Sequence, residues 1–565
     1  MAAVAESRNK SGQTLIQQMQ DRWHRLDTIF SSWRSHGMEL SRNYLPWSGR
    51  FWVEDRNEGW MRNQDQIDNT PARAIRILSA GLTAGASSPA RPWFRMGVRD
   101  PELMRKHSVR TFLDDVTRII LKTFSGSNVY RALQQIYTEC PLYGTSAAIL
   151  VPHPERGVHM HVLPFGQFRA ASGPDGNVQT LYREMEMSVA QVVREFGFEK
   201  CSDRVQELFG NNGQDEPVTV RHAVEPRMDR DVRFNDNTNM PWRSVYWEVA
   251  QQPDETSNVL RESGFMRFPA MVPRWSLIPG DDYGSGPGMD GLGDVIQLQQ
   301  EQYRKSQLID FASDPSMLLP SDMKNQESDL APGGKNYSDA SGSNQGRPLW
   351  QPGQHLQPLL EDIQDVRSRI NSVWFADMFL MIAQTDKNMT ATEVAERHEE
   401  KLLMLGPALE RLHNELLEPL VNLTFNYLLE AGQLPDIPPE LAGREIEIEF
   451  VSMLAQTQRA VGAKTIDRFM ATAGAASQLK PEILDRLNGD EFVEDLADRL
   501  GVPPRFLNSR EEADELREQR NEMQAAQAQT EMMGEQAGVA SELAKAANLS
   551  PTPPEQQFSQ VAGSQ

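Results

Sequence analysis

His398-Glu399-Glu400 lies in a helical stretch and opens like HExxH, where two imidazoles one turn apart share a zinc ion. Position 402 is leucine, so the second ligand is missing and the segment reads as a solvated helix face. Gly333-Gly334-Lys335-Asn336 carries a fragment of a phosphate loop without the upstream glycine spacing or the hydroxyl that holds magnesium, and Gly462-Ala463-Lys464-Thr465 is incomplete too. Gly144-Thr145-Ser146 is no nucleophile elbow, because no glycine stands two residues after the serine. His159 and His161 share one face of a predicted strand, with His153 across a hairpin; polar face residues are a plainer reading than a metal pair. Tyr283-Gly284-Ser285-Gly286-Pro287-Gly288 lacks the strand–turn–helix setting of a dinucleotide site and reads as a flexible hinge. The residues therefore predict no catalysis, no cofactor, no metal and no ATPase.

Size and charge narrow the classes further. A chain of 565 residues exceeds one ordinary core and predicts three or four structural units. Hydrophobic residues make up 39% and charged residues 24%, enough to bury a core. Cys140 and Cys201 are too few for a disulfide framework and read as buried small hydrophobes. No apolar run reaches the roughly 20 residues of a membrane helix, and MAAVAESRNK has no signal-peptide apolar region, so a soluble cytoplasmic product is expected. The net charge of −22 argues against a protein that grips nucleic acid through many phosphate contacts. It is compatible with a wall past which a polyanion slides.

The elements that would position any function follow from periodicity. Leu15, Met19, Trp23, Leu26, Ile29 or Phe30, and Trp33 repeat at helical spacing. Asn69-Thr70-Pro71 starts a second helix, whose Ala80, Gly81, Ala84 and Gly85 predict close packing on a neighbour. Helices fit 101–124 and 127–140; hairpins fit 147–151 with 158–163 and 167–171 with 178–187. A short helix at 188–196 and strands near 218–225, 244–250 and 265–272 complete an α+β body. Asp290 can cap a helix to about Ser313, and 314–356 loses periodicity. Leu359, Ile363, Val366, Ile370, Val373, Asp377 and Leu380 then form a stripe with alternating spacings of four and three. After the break 384–390, Thr390–Glu393 fits a capping box opening a helix to about Glu430, with Gly406-Pro407 and Pro419 as expected kinks. Residues 444–451 alternate as a strand, everything after 456 reads helical, and a Glu/Gln/Ala/Met helix spans 509–548 before a polar tail expected to be disordered.

Several long stretches, taken in order, resemble the head-to-tail connector (portal) family of T7-like short-tailed bacteriophages. They are Ser87-Ser88-Pro89-Ala90-Arg91-Pro92-Trp93-Phe94, the glycine segment running into Gly291–Gln300, and Thr390–Arg397 continuing into Leu405-Gly406-Pro407 and Glu415–Leu420. The resemblance covers roughly residues 10–455. It implies a mainly helical α+β portal fold that forms a ring, usually dodecameric, around a DNA channel. It divides the chain into a wing (1–285), first stem helix (286–313), clip (314–356), second stem helix (357–383), tunnel loop (384–391), kinked channel helix with a strand returning to the wing (392–455), crown (456–508) and a barrel-type helix with tail (509–565).

On that resemblance Lys387, Asn388 and Thr385 of the tunnel loop contact DNA, and Ile363, Val366 and Ile370 form the seam between subunits. The implied partners are other copies of the chain, double-stranded DNA without sequence preference, the terminase large subunit, the major capsid and scaffolding proteins, and tail adaptor proteins, with no membrane. The implied location is the portal vertex of the virion, after assembly in the host cytoplasm. Two competing classes are a terminase motor, against which the missing phosphate loop counts, and a helical scaffold, which rarely needs an α+β body.

Overall fold

The computed structural model winds Ala2–Tyr44 into one helix, and the apolar stripe decides which way it faces. Ile16, Met19, Trp23 and Leu26 pack with Tyr182, Ala223, Val245 and Trp247 on one side of a sheet. Phe30 is fully buried while Ile29 is 53% exposed, which settles the register of the stripe. The helix is also bolted electrostatically. Buried Arg169 donates to Asp27 at 2.7 Å and to the carbonyls of Gly166 and Phe168, while its guanidinium lies 4.1 Å from the Phe30 ring centroid.

That sheet is a five-stranded antiparallel meander of Phe168–Ser172, Val178–Ser188, Pro217–Pro226, Trp242–Glu248 and Val259–Phe265. Side chains alternate between faces along each strand, so Val218, Val220 and Leu260 take the opposite face and meet the helices Val189–Phe196 and Asp203–Gly210. The first of these opens with a capping box between Ser188 and Gln191. The strand expected over 265–272 is instead two pieces, Val259–Phe265 and Ala270–Met271, separated where Pro269 cannot donate to a ladder.

The predicted hairpin is present as Ala147–His153 paired with Gly157–Leu163, and Ala270–Met271 adds to its other edge. Trp93 and Phe94 are buried core anchors, Trp93 stacking 6.2 Å from Phe124 and 6.4 Å from Phe450. Phe94–Val98, a strand that periodicity does not reveal, pairs antiparallel with Ile446–Phe450.

The glycine segment is a packed joint, which corrects the expectation of a hinge. Gly284, Gly286, Pro287 and Gly288 are buried, and a Cβ at any of the three glycines would run into backbone carbonyls, among them those of Pro141, Leu142 and Gly144. Gly144 itself ends the helix Val129–Tyr143 in the left-handed region at φ 73°. Glycine here permits close approach of two backbones, the second use to which a missing side chain is put. Tyr283 in the same segment accepts from the Ala170 N–H at 3.0 Å and sits among Phe30, Trp33 and Phe168.

The structure describes residues 2–52, 59–63, 65–104, 106–231, 233, 236–250, 258–320, 329, 331–338, 347–348, 356–383, 404–441, 446–450 and 513–526. Two compact units divide the chain, one of Met1–Arg99 with Asp115–Asp485 and one of Asp100–Asp114 with Arg486–Gln565. The elements above belong to the first. In the second the described residues are helical, and 513–526 is exposed along nearly its whole length. The fold is α+β and mainly helical. No helix among the described residues is long and apolar enough to cross a membrane.

Candidate functional site

Two helices, Leu292–Ser313 and Leu356–Val373, run along one another. The first has 22 residues and so spans about 33 Å. A four-residue helix, Pro287–Asp290, precedes it and Gly291 stands at its N-cap, so Asp290 is not the cap that its side chain suggested. The second helix stops at Val373, where Phe375 takes φ 53°, and resumes as Ala376–Ala383. This break corrects the expectation of one helix over 357–383. It lets Trp374 bury edge-on against Tyr44, with ring centroids 5.4 Å apart, and lays Phe379 over Gly81. Gly81 thereby meets the close neighbour that its small side chains predicted.

A buried polar lock ties the pair to the body. Asp68 accepts from the Thr70 N–H and hydroxyl at 2.8 and 2.6 Å, from Gln302 at 2.9 Å and from Arg367 at 2.7 Å. Gln299 closes the lock by accepting from the N–H groups of Ile67 and Asp68. Burial raises the Asp68 carboxyl, but Thr70 and Arg367 outweigh it and hold the group below the ordinary carboxylate range. Farther along, Arg369 pairs with Asp294 at 3.3 Å and with Asp365 at 3.4 Å. Glu301 is 4% exposed and held above its ordinary value, first by burial and then by Asp362 across the pair.

The predicted seam residues are already covered within the chain. Ile363, Val366 and Ile370 are 2%, 0% and 0% exposed, enclosed by the chain's own helices. The stripe is thus packed within the single chain. Exposure appears instead along the outer half of the pair: Tyr303 is 57%, Ile309 47% and Leu360 40% exposed.

Within 314–356 the described residues include three short strands. Met317–Pro320 pairs parallel with Lys335–Ser338 and antiparallel with Arg347–Pro348, a small sheet beyond the helix end. Asn336 bridges to the backbone of Asp329 in both directions, at 2.7 and 2.5 Å. The Gly333 turn that resembled a phosphate loop is filled by the Asp314 carboxylate. Lys387, Asn388 and Thr385, and the capping box at Thr390–Glu393, lie outside the described residues.

Two further sets of residues have clear geometry. His153, His159 and His161 share the hairpin face, with neighbouring ring centroids 6.2 and 4.5 Å apart. Burial and the Arg183 charge push His161 down to about 4, so it is neutral at physiological pH. The second set sits in the helix after residue 404, where Gly406-Pro407 and Pro419 are the expected kinks. The helix passes residue 407 and widens into a π turn at His413–Leu417. Pro419 has no N–H for the Glu415 carbonyl, and its ring crowds that carbonyl, which a widened turn relieves. The turn presents Glu415 to Arg274, whose side chain is 2% exposed. Glu415 accepts from the Arg274 backbone N–H at 2.8 Å and from its guanidinium at 2.7 and 3.2 Å. Arg274 also donates to the Gly176 carbonyl at 2.8 Å.

The family described as bacteriophage head to tail connecting protein matches residues 16–507. The chain belongs to that family. Among curated relatives of this connecting protein, the "Probable portal protein" of Bordetella phage BPP-1 is 48% identical over 524 residues, covering 92% of this chain and 94% of the relative. The "Portal protein" of Salmonella phage epsilon15 is 38% identical over 502 residues, covering 88% and 90%. Among solved structures, a chain in the neck of a native gene transfer agent particle computed with C12 symmetry is 14% identical, with 78% and 96% of the two chains covered and a TM-score of 0.36.

The Asp68 lock and the Arg274–Glu415 pair have no local signature in the connector sequence. Their partners stand 299 and 141 residues apart. Only the widened turn leaves a trace, in the proline that follows Glu415.

Proposed function

We propose that this head-to-tail connecting protein is one subunit of a ring, a dodecamer by the family resemblance, at the portal vertex of a short-tailed phage virion. Double-stranded DNA passes through the ring during packaging and ejection. The observation that carries the reading is the helix pair, locked to the body at one end, bare along its outer half and tipped by a small sheet. Repeated around an axis, such pairs make a tube wall. The two curated relatives named as portal proteins support the same role. In this reading the body 1–285 is the wing, 286–313 and 357–383 are the stem, 314–356 is the clip, 384–391 the tunnel loop, 392–455 the channel helix and return strand, and 456–565 the crown and tail. The subunit has a structural role without catalysis of its own, and it meets capsid and scaffolding proteins at the vertex.

The clip is the docking surface for the terminase large subunit and then for tail adaptors, since binding residues concentrate on exposed loops set on a rigid scaffold. Deleting 326–345 is expected to preserve rings and abolish terminase binding in a pull-down; retained binding contradicts the assignment.

Lys387 is the one basic residue between Arg369 and Arg397 in the sequence. A single ammonium per subunit, repeated around the channel, centres the duplex through phosphate contacts that carry no sequence information. The surrounding net charge of −22 keeps DNA from sticking. Asn388 and Thr385 offer weaker, uncharged donors. Lys387→Glu is expected to leave assembly intact and reduce the packaged or retained DNA, measured by nuclease protection. Wild-type retention contradicts a role for Lys387 at the DNA.

A further inference from the structure

The outer half of the helix pair carries charges of opposite sign, on one helix basic and on the other acidic, that form no ion pair with each other among the described residues. On the first helix Arg304 is exposed and Lys305 half-buried, and neither makes an ion pair with any described residue. On the second helix Glu361, Asp362 and Asp365 crowd three exposed carboxylates into five positions, with Arg369, at Asp365, the one cation paired with them among the described residues. Glu301 adds a fourth acid beside Asp362. Exposed Tyr303 and Leu360 stand next to these charges on their respective helices.

We infer that the basic patch Arg304-Lys305 on Leu292–Ser313 in one copy docks on the acidic patch Glu361, Asp362 and Asp365 on Leu356–Val373 in the next. The inference rests on the ring reading and deepens it. A closed ring needs two different, complementary surfaces on every subunit, and these are two patches of opposite charge on one helix pair. The occupant is a second copy of this chain because, among the described residues, the two cations pair with no carboxylate, while the carboxylates crowd one another with a single cation at Asp365. Ile363, Val366 and Ile370 hold each pair together internally, so the pair meets its neighbour as a preformed unit. Tyr303 and Leu360 contribute apolar area, and the charges select which faces meet.

The test is a charge exchange. One variant carries Arg304→Glu with Lys305→Glu, the other Glu361→Lys with Asp365→Lys, each assayed alone and mixed in equal amounts by native mass spectrometry. Each alone presents two like-charged faces, and its ring yield is expected to fall about tenfold or more. The mixture is expected to recover rings in which the two chains alternate. Wild-type ring yield from either variant alone, or no recovery on mixing while the wild-type chain forms rings, overturns the pairing and leaves the ring reading standing. A wild-type chain that stays monomeric overturns both. If circular dichroism shows either variant unfolded, Arg304→Gln and Asp365→Asn replace them; lower ring yield from each is expected, and wild-type yield overturns the pairing.

Discussion

Arg274→Ala is expected to destabilise the chain by about 3–5 kcal/mol, because it leaves the Glu415 carboxylate enclosed, with only the half-exposed Arg411 at 3.8 Å in place of its bidentate partner. The guanidinium is 2% exposed and Glu415 13%, so water reaches neither well enough to replace the pair. The loss also removes donors to the Gly176 carbonyl and the Ser172 hydroxyl. Arg274→Met combined with Glu415→Leu removes both charges and restores volume. Its cost is expected to be much smaller, since replacing a whole buried pair by apolar groups is often near neutral. Urea unfolding of the two single variants and the double variant measures the difference. A single-variant cost under about 1 kcal/mol would mean that the pair is solvated like a surface salt bridge.

Ile370→Ala is expected to cost about 2–5 kcal/mol, the range for deleting a fully enclosed aliphatic side chain. Ile363→Ala falls in the same range, and Val366→Ala lies at or below its lower end because fewer atoms are removed. All three losses appear in the unfolding of the single chain, since these side chains are covered before any second copy arrives. Leu360→Ala, on the bare part of the same helix, is expected to change chain stability little and ring yield more. Urea unfolding at concentrations below ring formation separates the two effects. Equal stability losses at Ile370 and Leu360 would contradict the division between covered and bare halves.

The elements whose signals are local were legible before the fold was known. Helical spacing from Leu15 to Trp33, the Asn69-Thr70-Pro71 helix start and the turn between Val151 and Val158 each fix a dihedral preference or a face within a few residues. The strand Phe94–Val98 escaped because its meaning lies in Ile446–Phe450, far along the chain. The glycines at 284, 286 and 288 misled because freedom of the backbone and close approach of another backbone demand the same missing side chain. The stripe through Ile363 and Ile370 reported burial without naming the partner, because helices of one chain and of two present the same period to each other. The family resemblance, carried by Trp93-Phe94, the glycine segment and Glu415–Leu420, located the chain's role more sharply than any single residue. Three of those residues, Trp93, Phe94 and Glu415, prove to be structural anchors.

Negative-stain microscopy of the purified full-length chain tests the ring most directly, because every step from channel wall to docking tip depends on copies closing around an axis. Closed rings of uniform diameter with a stain-filled central hole are the expected result, while monomers at all concentrations, or open filaments, would contradict it.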